Sequence, residues 1–197
     1  MKHKSFILGI TGGTGCGKTT LLTCIEALGG LVLDCDAIYH RLLQTDTTLL
    51  SAIEARFPGT VENGTLQRKK LGAIVFSDEK ALADLNAITH GAVKAEVLRL
   101  LEAKPALAAI DAIALFEGGL AELCDMTVAV TAPVEDRVRR LMHRDGISEE
   151  YARKRIGAQH NDEWFREHCD QVLENIHTKE QFTEICLAFL KELGIIT

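Results

Sequence analysis

The sequence predicts an α/β fold in which a five-stranded parallel sheet is covered by helices on both faces. Two observations carry that prediction. Short apolar runs alternate with segments of helical period, the pattern of strands buried on both sides. In addition, Gly12-Gly13-Thr14-Gly15-Cys16-Gly17-Lys18-Thr19 fits the phosphate-loop pattern G-x-x-x-x-G-K-[ST] at every defined position. It stands where such a loop belongs, between a strand and a helix, and so the expected fold is the three-layer P-loop NTPase fold.

The elements follow in order. Phe6 to Ile10 reads as the buried strand before the loop. Leu21, Leu22, Cys24, Ile25 and Leu28 then recur at helical spacing, and Gly29-Gly30 supplies a helix stop. Leu31-Val32-Leu33 is the second strand, ending at Asp34-Cys35-Asp36. From Ala37 to about Pro105 the pattern is largely helical. Within it, Phe57 to Gly64 reads as a loop, marked by Pro58-Gly59 and Asn63-Gly64. The apolar face of Ala81 to Leu101 predicts a helix that Gly91 splits or bends. Ala106 to Phe116, apolar apart from Asp111, reads as a central strand, and Met126 to Thr131 as another. Pro133 opens a helix to about Arg144, which Asp145-Gly146 breaks. Ser148 caps the next helix, with Glu149 and Glu150 in its first turn. Asp170 to Leu173 is the last strand. Thr178-x-x-Gln181 is a capping box for a final helix whose apolar face runs from Phe182 to Leu193. The 197 residues read as one domain, with a core at about 1–36 and 106–197, a helical segment at about 37–105 and a lid at about 137–157.

Composition narrows the class. A hydrophobic share of 47% with 25% charged residues is that of an ordinary globular protein. A formal net charge of −6 argues against nucleic acid or an anionic membrane as partner, while a small anionic substrate needs only a local basic pocket. The six cysteines show neither C-x-x-C nor zinc-type spacing. With no signal-peptide core and no stretch of transmembrane length, they point to a reducing, cytoplasmic location.

Chemistry concentrates in a few places. Gly13, Thr14, Gly15, Cys16, Gly17, Lys18, Thr19 and Thr20 form the expected ATP site: backbone N–H groups and a helix N-terminus surround the phosphates. Lys18 reaches the β- and γ-phosphates, and the Thr19 hydroxyl binds Mg²⁺. Asp34 and Asp36 stand two residues apart at a strand end, which in extended chain puts both carboxylates on one face. One would serve a metal and the other an acceptor hydroxyl, unless one of them caps the following helix. Arg137, Arg140 and Arg144 share one helix face and suit a lid over a transferring phosphoryl group; the alternative is a solvated face paired with Glu135, Asp136 and Glu149. Asp111 either binds the metal through water or hydrogen-bonds the loop backbone. Glu117 contacts substrate or caps the next segment. Arg68 contacts a substrate phosphate or is exposed charge. His90 shares a helix face with Asn86. The residues alone reach a small ATP-dependent kinase with a lid, as opposed to a low-turnover nucleotide switch.

Several motifs together resemble the dephospho-coenzyme A kinase family. Thr11 to Thr19 is similar to its T-G-G-x-G-S-G-K-[ST], and Asp34-Cys35-Asp36-Ala37 to its D-A-D-x. Gly64-Thr65-Leu66-Gln67-Arg68, Ile74-Val75-Phe76 and Leu85-Asn86-x-Ile88-x-His90 resemble its G-x-L-x-R, I-V-F and L-N-x-I-x-H-P. Asp111, with Leu115-Phe116-Glu117, resembles its D-x-P-L-L-F-E. Arg140-Leu141-x-x-Arg144-x-Gly146-x-Ser148, then Gln159, resembles its lid. The chain departs from the family at Gly91, at Ile113-Ala114, at Cys169-Asp170 and at Asn175-Ile176-His177. The resemblance implies transfer of the ATP γ-phosphate to the ribose 3′-hydroxyl of dephospho-coenzyme A, the last step of coenzyme A synthesis, with Mg²⁺. Another nucleoside or nucleotide kinase on the same scaffold is the alternative. It further implies that the 37–105 segment supplies much of the acceptor site and that Asp34, Arg68, His90 and Glu117 contact the substrate. Asp36 would be the general base, with Lys18 and Arg140 meeting transition-state charge. Arg144 and Asn175 would contact the nucleotide, and Thr19 and Asp111 the metal.

Overall fold

The structure is a computed structural model and describes residues 5–195. The chain runs through β1 (Phe6–Thr11), α1 (Lys18–Ala27), β2 (Leu31–Asp34), α2 (Cys35–Thr45), α3 (Thr47–Arg56), β3 (Val61–Glu62), β4 (Thr65–Leu66), α4 (Arg68–Val75) and α5 (Glu79–Leu101). It continues through β5 (Leu107–Asp111), β6 (Met126–Thr131), α6 (Val134–Asp145), α7 (Glu149–Gly157), α8 (Asp162–His168), β7 (Gln171–Glu174) and α9 (Lys179–Glu192). Five strands form one sheet in the order β2-β5-β1-β6-β7, with every pairing parallel.

The apolar strands are buried on both faces. α1 and α9 pack together on one side, where Leu8, Ile10, Ile25, Val128, Phe182 and Leu190 form a core cluster. On the other side Leu33, Ile110 and Leu115 are covered by Ile38 and Leu42 of α2 and Val97 of α5. Ala109 and Ile110 belong to opposite clusters, as the two-residue period of a strand requires. A smaller cluster of Val138, Leu141, Ala152 and Ile156 fastens α6 to α7. Ser148 caps α7 through Tyr151 N–H, and the Thr178–Gln181 capping box starts α9. Among the described residues no helix is long and apolar enough to cross a membrane.

The structure differs from the sequence reading in five places. The central strand ends at Asp111 and does not run to Phe116. Beyond Ala112 the chain folds into tight turns, with Gly118 N–H on the Ala114 carbonyl and Leu120 N–H on that of Leu115. α5 runs unbroken from Glu79 to Leu101 through Gly91. A glycine there costs about 1 kcal/mol of propensity, and packing of α5 on α2, α3 and α4 offsets it. The loop expected over Phe57 to Gly64 contains β3, whose antiparallel partner β4 follows the Asn63-Gly64 turn. α8 has no counterpart in the expectation: its seven residues are too few to show a period. Finally α2 begins at Cys35, so Asp34 and Asp36 do not lie in one extended segment.

Candidate active site

The phosphate loop spans the turn from β1 into α1. A Cβ on Gly12 would stand 2.2 Å from the Val130 carbonyl, so a side chain there would push the loop off β6. Gly17 starts α1 with φ 101° and no side-chain cap, which leaves the first N–H groups of the helix facing the cleft.

The loop's own carbonyls are held from outside. Arg137 donates through Nε to the Thr14 carbonyl at 3.0 Å, and Gln159 Oε1 accepts from Thr14 N–H at 2.8 Å and from Arg137 Nη2 at 3.2 Å. Arg140 Nη1 reaches the carbonyls of Gly15 and Cys16 at 3.1 and 3.2 Å. Asn175 Nδ2 donates to Cys16 O at 2.8 Å, and Lys18 Nζ to Gly12 O at 3.1 Å. Arg137, expected on the lid face with Arg140 and Arg144, is instead 4% exposed. The period of a helix places it on the right side but does not say that a backbone lies there to bury it. Asn175, expected at the nucleotide, is likewise buried and braces the loop from behind.

A cleft of about 610 Å³ opens over the loop. Gly13 to Thr19, Asp36, Asp111, Arg140 and Arg144 line it, joined by Arg155 and by His143, the latter not among the residues the sequence pointed to. Thr20 sits in the first turn of α1 with its N–H on Gly17 O and is not among the lining residues. Arg144 pairs with Asp145 at 2.6 Å, and Arg155 reaches the same carboxylate at 2.8 Å. Arg144 first, then Arg155, hold that carboxyl down at about 2. Arg153 pairs with Glu135 and Glu149 on the outer surface, so it is Arg153 that takes the carboxylates the sequence offered to the α6 arginines.

The two aspartates separate. Asp34 Oδ1 accepts from Ala37 N–H at 2.9 Å and caps α2. This corrects the shared-face expectation for Asp34, which lines neither cavity here, because the strand gives way to helix at Cys35. Asp36, in the first turn of α2, lines both the phosphate cleft and a second cavity of about 220 Å³. Tyr39, Asn86 and His90 line that second, more apolar cavity with it. Burial raises the Tyr39 phenol, against the pull of the Arg68 charge. Arg68 itself lies outside both cavities, with Nη2 at 3.4 Å from His40 Nδ1. Glu117 also lies outside them and meets His160 Nε2 at 2.7 Å.

Asp111 ends β5 opposite Asp34 and lines the phosphate cleft. Its Oδ1 is buried with no hydrogen-bond partner. Burial raises the carboxyl to about 6, against the pull of Lys18 and helped by Asp34 and Asp36. A buried carboxylate oxygen without a donor, in the cleft that Thr19 also lines, has the chemistry of a cation ligand, so a Mg²⁺ ion fits the donor set.

The family model for dephospho-CoA kinase matches residues 6–181. A dephospho-CoA kinase of Corynebacterium diphtheriae is 37% identical over 180 residues, covering 88% of this chain and 90% of the relative. One from Thermus thermophilus is 37% identical over 195 residues, covering 98% and 93%. Among solved structures, a Thermus thermophilus protein superposes with TM-score 0.81 at 34% identity, over 96% of this chain and 98% of that one. Dephospho-CoA kinase of Campylobacter jejuni superposes with TM-score 0.66 at 25% identity, over 95% and 96%. Shikimate kinase of Bacteroides thetaiotaomicron, at 13% identity and TM-score 0.59, shares the fold. The matched segment contains all five strands of the sheet and helices α6 and α7, well beyond the phosphate loop, and the chain belongs to the dephospho-CoA kinase family.

Proposed function

We propose that the protein moves the γ-phosphoryl group of ATP to the ribose 3′-hydroxyl of dephospho-CoA, with Asp36 as the general base. The observation that carries this is the position of Asp36 on the wall common to the phosphate cleft and the more apolar cavity. A carboxylate there meets an acceptor hydroxyl on one side and the γ-phosphate on the other. Asp36 takes the hydroxyl proton, the ribose oxygen bonds to the γ-phosphorus, and the bond to the β-phosphate bridging oxygen breaks, releasing ADP. Lys18 and Arg140 offset the charge on the phosphoryl oxygens. Thr19 and Asp111 would hold Mg²⁺, which when bound neutralises β- and γ-phosphate charge. Arg144 and Arg155 supply further positive charge from the lid at about 137–157, and the helices of the 37–105 segment form the acceptor side. Six free thiols accord with a reducing compartment, and we place the protein in the cytoplasm.

ADP release from purified protein, measured with dephospho-CoA and a panel of nucleosides and nucleotides, tests the reading. Dephospho-CoA should give the highest kcat/KM and a product of coenzyme A mass. Turnover of a nucleoside with none of dephospho-CoA would reassign the acceptor. Asp36→Asn should lower kcat by about 10²- to 10⁴-fold with ATP affinity little changed; a mild effect would remove Asp36 from the role of base.

A further inference from the structure

A third cavity, of about 290 Å³, lies between the turns after β5 and the C-terminal end of α7. Gly13 joins it to the phosphate cleft and Ala114 to the acceptor cavity, while Ile113 lines all three. Its walls are apolar side chains or glycine backbone apart from Glu117, Gln159 and His160. Those polar groups are held in place. His160 meets Glu117 at 2.7 Å and stacks on Trp164 with ring centroids 3.7 Å apart, and Phe116 meets the indole edge-on at 5.3 Å. No step of the phosphoryl transfer uses Glu117, His160 or Trp164. A mostly apolar cavity with a few fixed polar groups is the usual form of a small-molecule subsite.

The acceptor is more than a nucleoside. Dephospho-CoA carries on its 5′-diphosphate a long neutral arm of methylenes and two amides. The acceptor cavity of about 220 Å³ has room for the nucleoside part beside Asp36. The arginine-lined phosphate cleft suits anions, and the exposed Arg68–His40 rim likewise suits the diphosphate. Neither suits an uncharged amide chain. We propose that the third cavity receives this amide-bearing arm, with Glu117 accepting from an amide N–H and His160 meeting an amide carbonyl. The proposal rests on dephospho-CoA being the acceptor.

Gly157 gives the test. It lines the cavity, and a Cβ built there meets nothing within 4 Å. The Cβ of Gly157→Leu is therefore accommodated, and at a helix end the substitution raises helix propensity, which favours folding. The KM for dephospho-CoA should rise about tenfold or more. The KM for ATP should stay within about twofold, as should the inhibition constant of adenosine 5′-monophosphate, which lacks the arm. Trp164, the sole tryptophan, reports on the same cavity through His160. In the wild type its emission should change on titration with dephospho-CoA and not with adenosine 5′-monophosphate. An unchanged KM for dephospho-CoA in Gly157→Leu overturns the proposal, and so does a Trp164 response that is the same for both ligands. Failure of the wild type to phosphorylate dephospho-CoA at all would instead overturn the acceptor assignment.

Discussion

The phosphate loop and the carboxylates of α6 and α7 both meet arginines, and they use them in opposite ways. Arg137 and Arg140 donate to loop carbonyls. Arg139 and Arg144 pair with Asp136 and Asp145, and Arg153 of α7 with Glu135. A carbonyl belongs to the loop itself, so binding it fixes where the neighbouring N–H groups point. A carboxylate in water gives up its arginine at little cost, since exposed pairs are worth about 0–1 kcal/mol. The inner arginines therefore set the shape of the loop, whereas Arg144 and Arg155 line the cleft while paired with the Asp145 carboxylate.

Substitutions can break that distinction. Among the basic residues the largest effect should come from Lys18→Ala, at about 10²-fold or more in kcat with the fold intact, because Lys18 meets developing phosphate charge. Near wild-type turnover would remove the phosphate-loop assignment. Arg140→Ala should follow, at about 10- to 10²-fold in kcat, whereas Arg153→Ala should stay within about twofold and change the urea midpoint by no more than an exposed pair allows. Equal effects from the two would erase the contrast between inner and outer arginines.

Asp111→Asn sharpens it from the other side, as a residue that works against stability. The native carboxyl binds its proton up to about pH 6, and the unfolded one releases it near the ordinary value of 3.8. Between those values the native state holds more protons, so stability falls as pH rises. Urea unfolding of the ligand-free protein at pH 7.5 should show Asp111→Asn more stable than wild type by about 1–3 kcal/mol, with the gap closing toward pH 4. Its kinase activity should drop. A variant that is less stable at pH 7.5 would mean that the Asp111 carboxylate has a stabilising partner in solution.

Legibility followed how local the cause was. The phosphate loop, the Thr178–Gln181 capping box and the β6 strand are each specified by a few adjacent residues, and they stand where the sequence puts them. The residues alone left open which of Asp34 and Asp36 caps the next helix, and only the family resemblance favoured Asp36 at the cleft, because the outcome depends on whether the chain turns helical at Cys35 or Ala37. A shift of that size moves a side chain about 200° around a helix, given 3.6 residues per turn. Burial of Arg137 depends on Gly13 and Gln159 arriving from distant parts of the chain. The basic period alone cannot separate a brace from a surface charge. Gln159 followed the lid motif and so was visible, but its double role on Thr14 and Arg137 was not.

The sheet order has a consequence for how the molecule is made. β1 emerges first, yet both its neighbours lie beyond residue 106, and Asn175 closes the loop from 159 positions downstream of Cys16. Parallel pairings of such separation are slow to form, and a growing chain exposes their edges meanwhile. On the ribosome, then, the nucleotide site is completed late, although its motif is translated before the strands and side chains that brace it. A nascent chain that stops short of Asn175 has the loop and its arginine partners but lacks the amide that holds the Cys16 carbonyl.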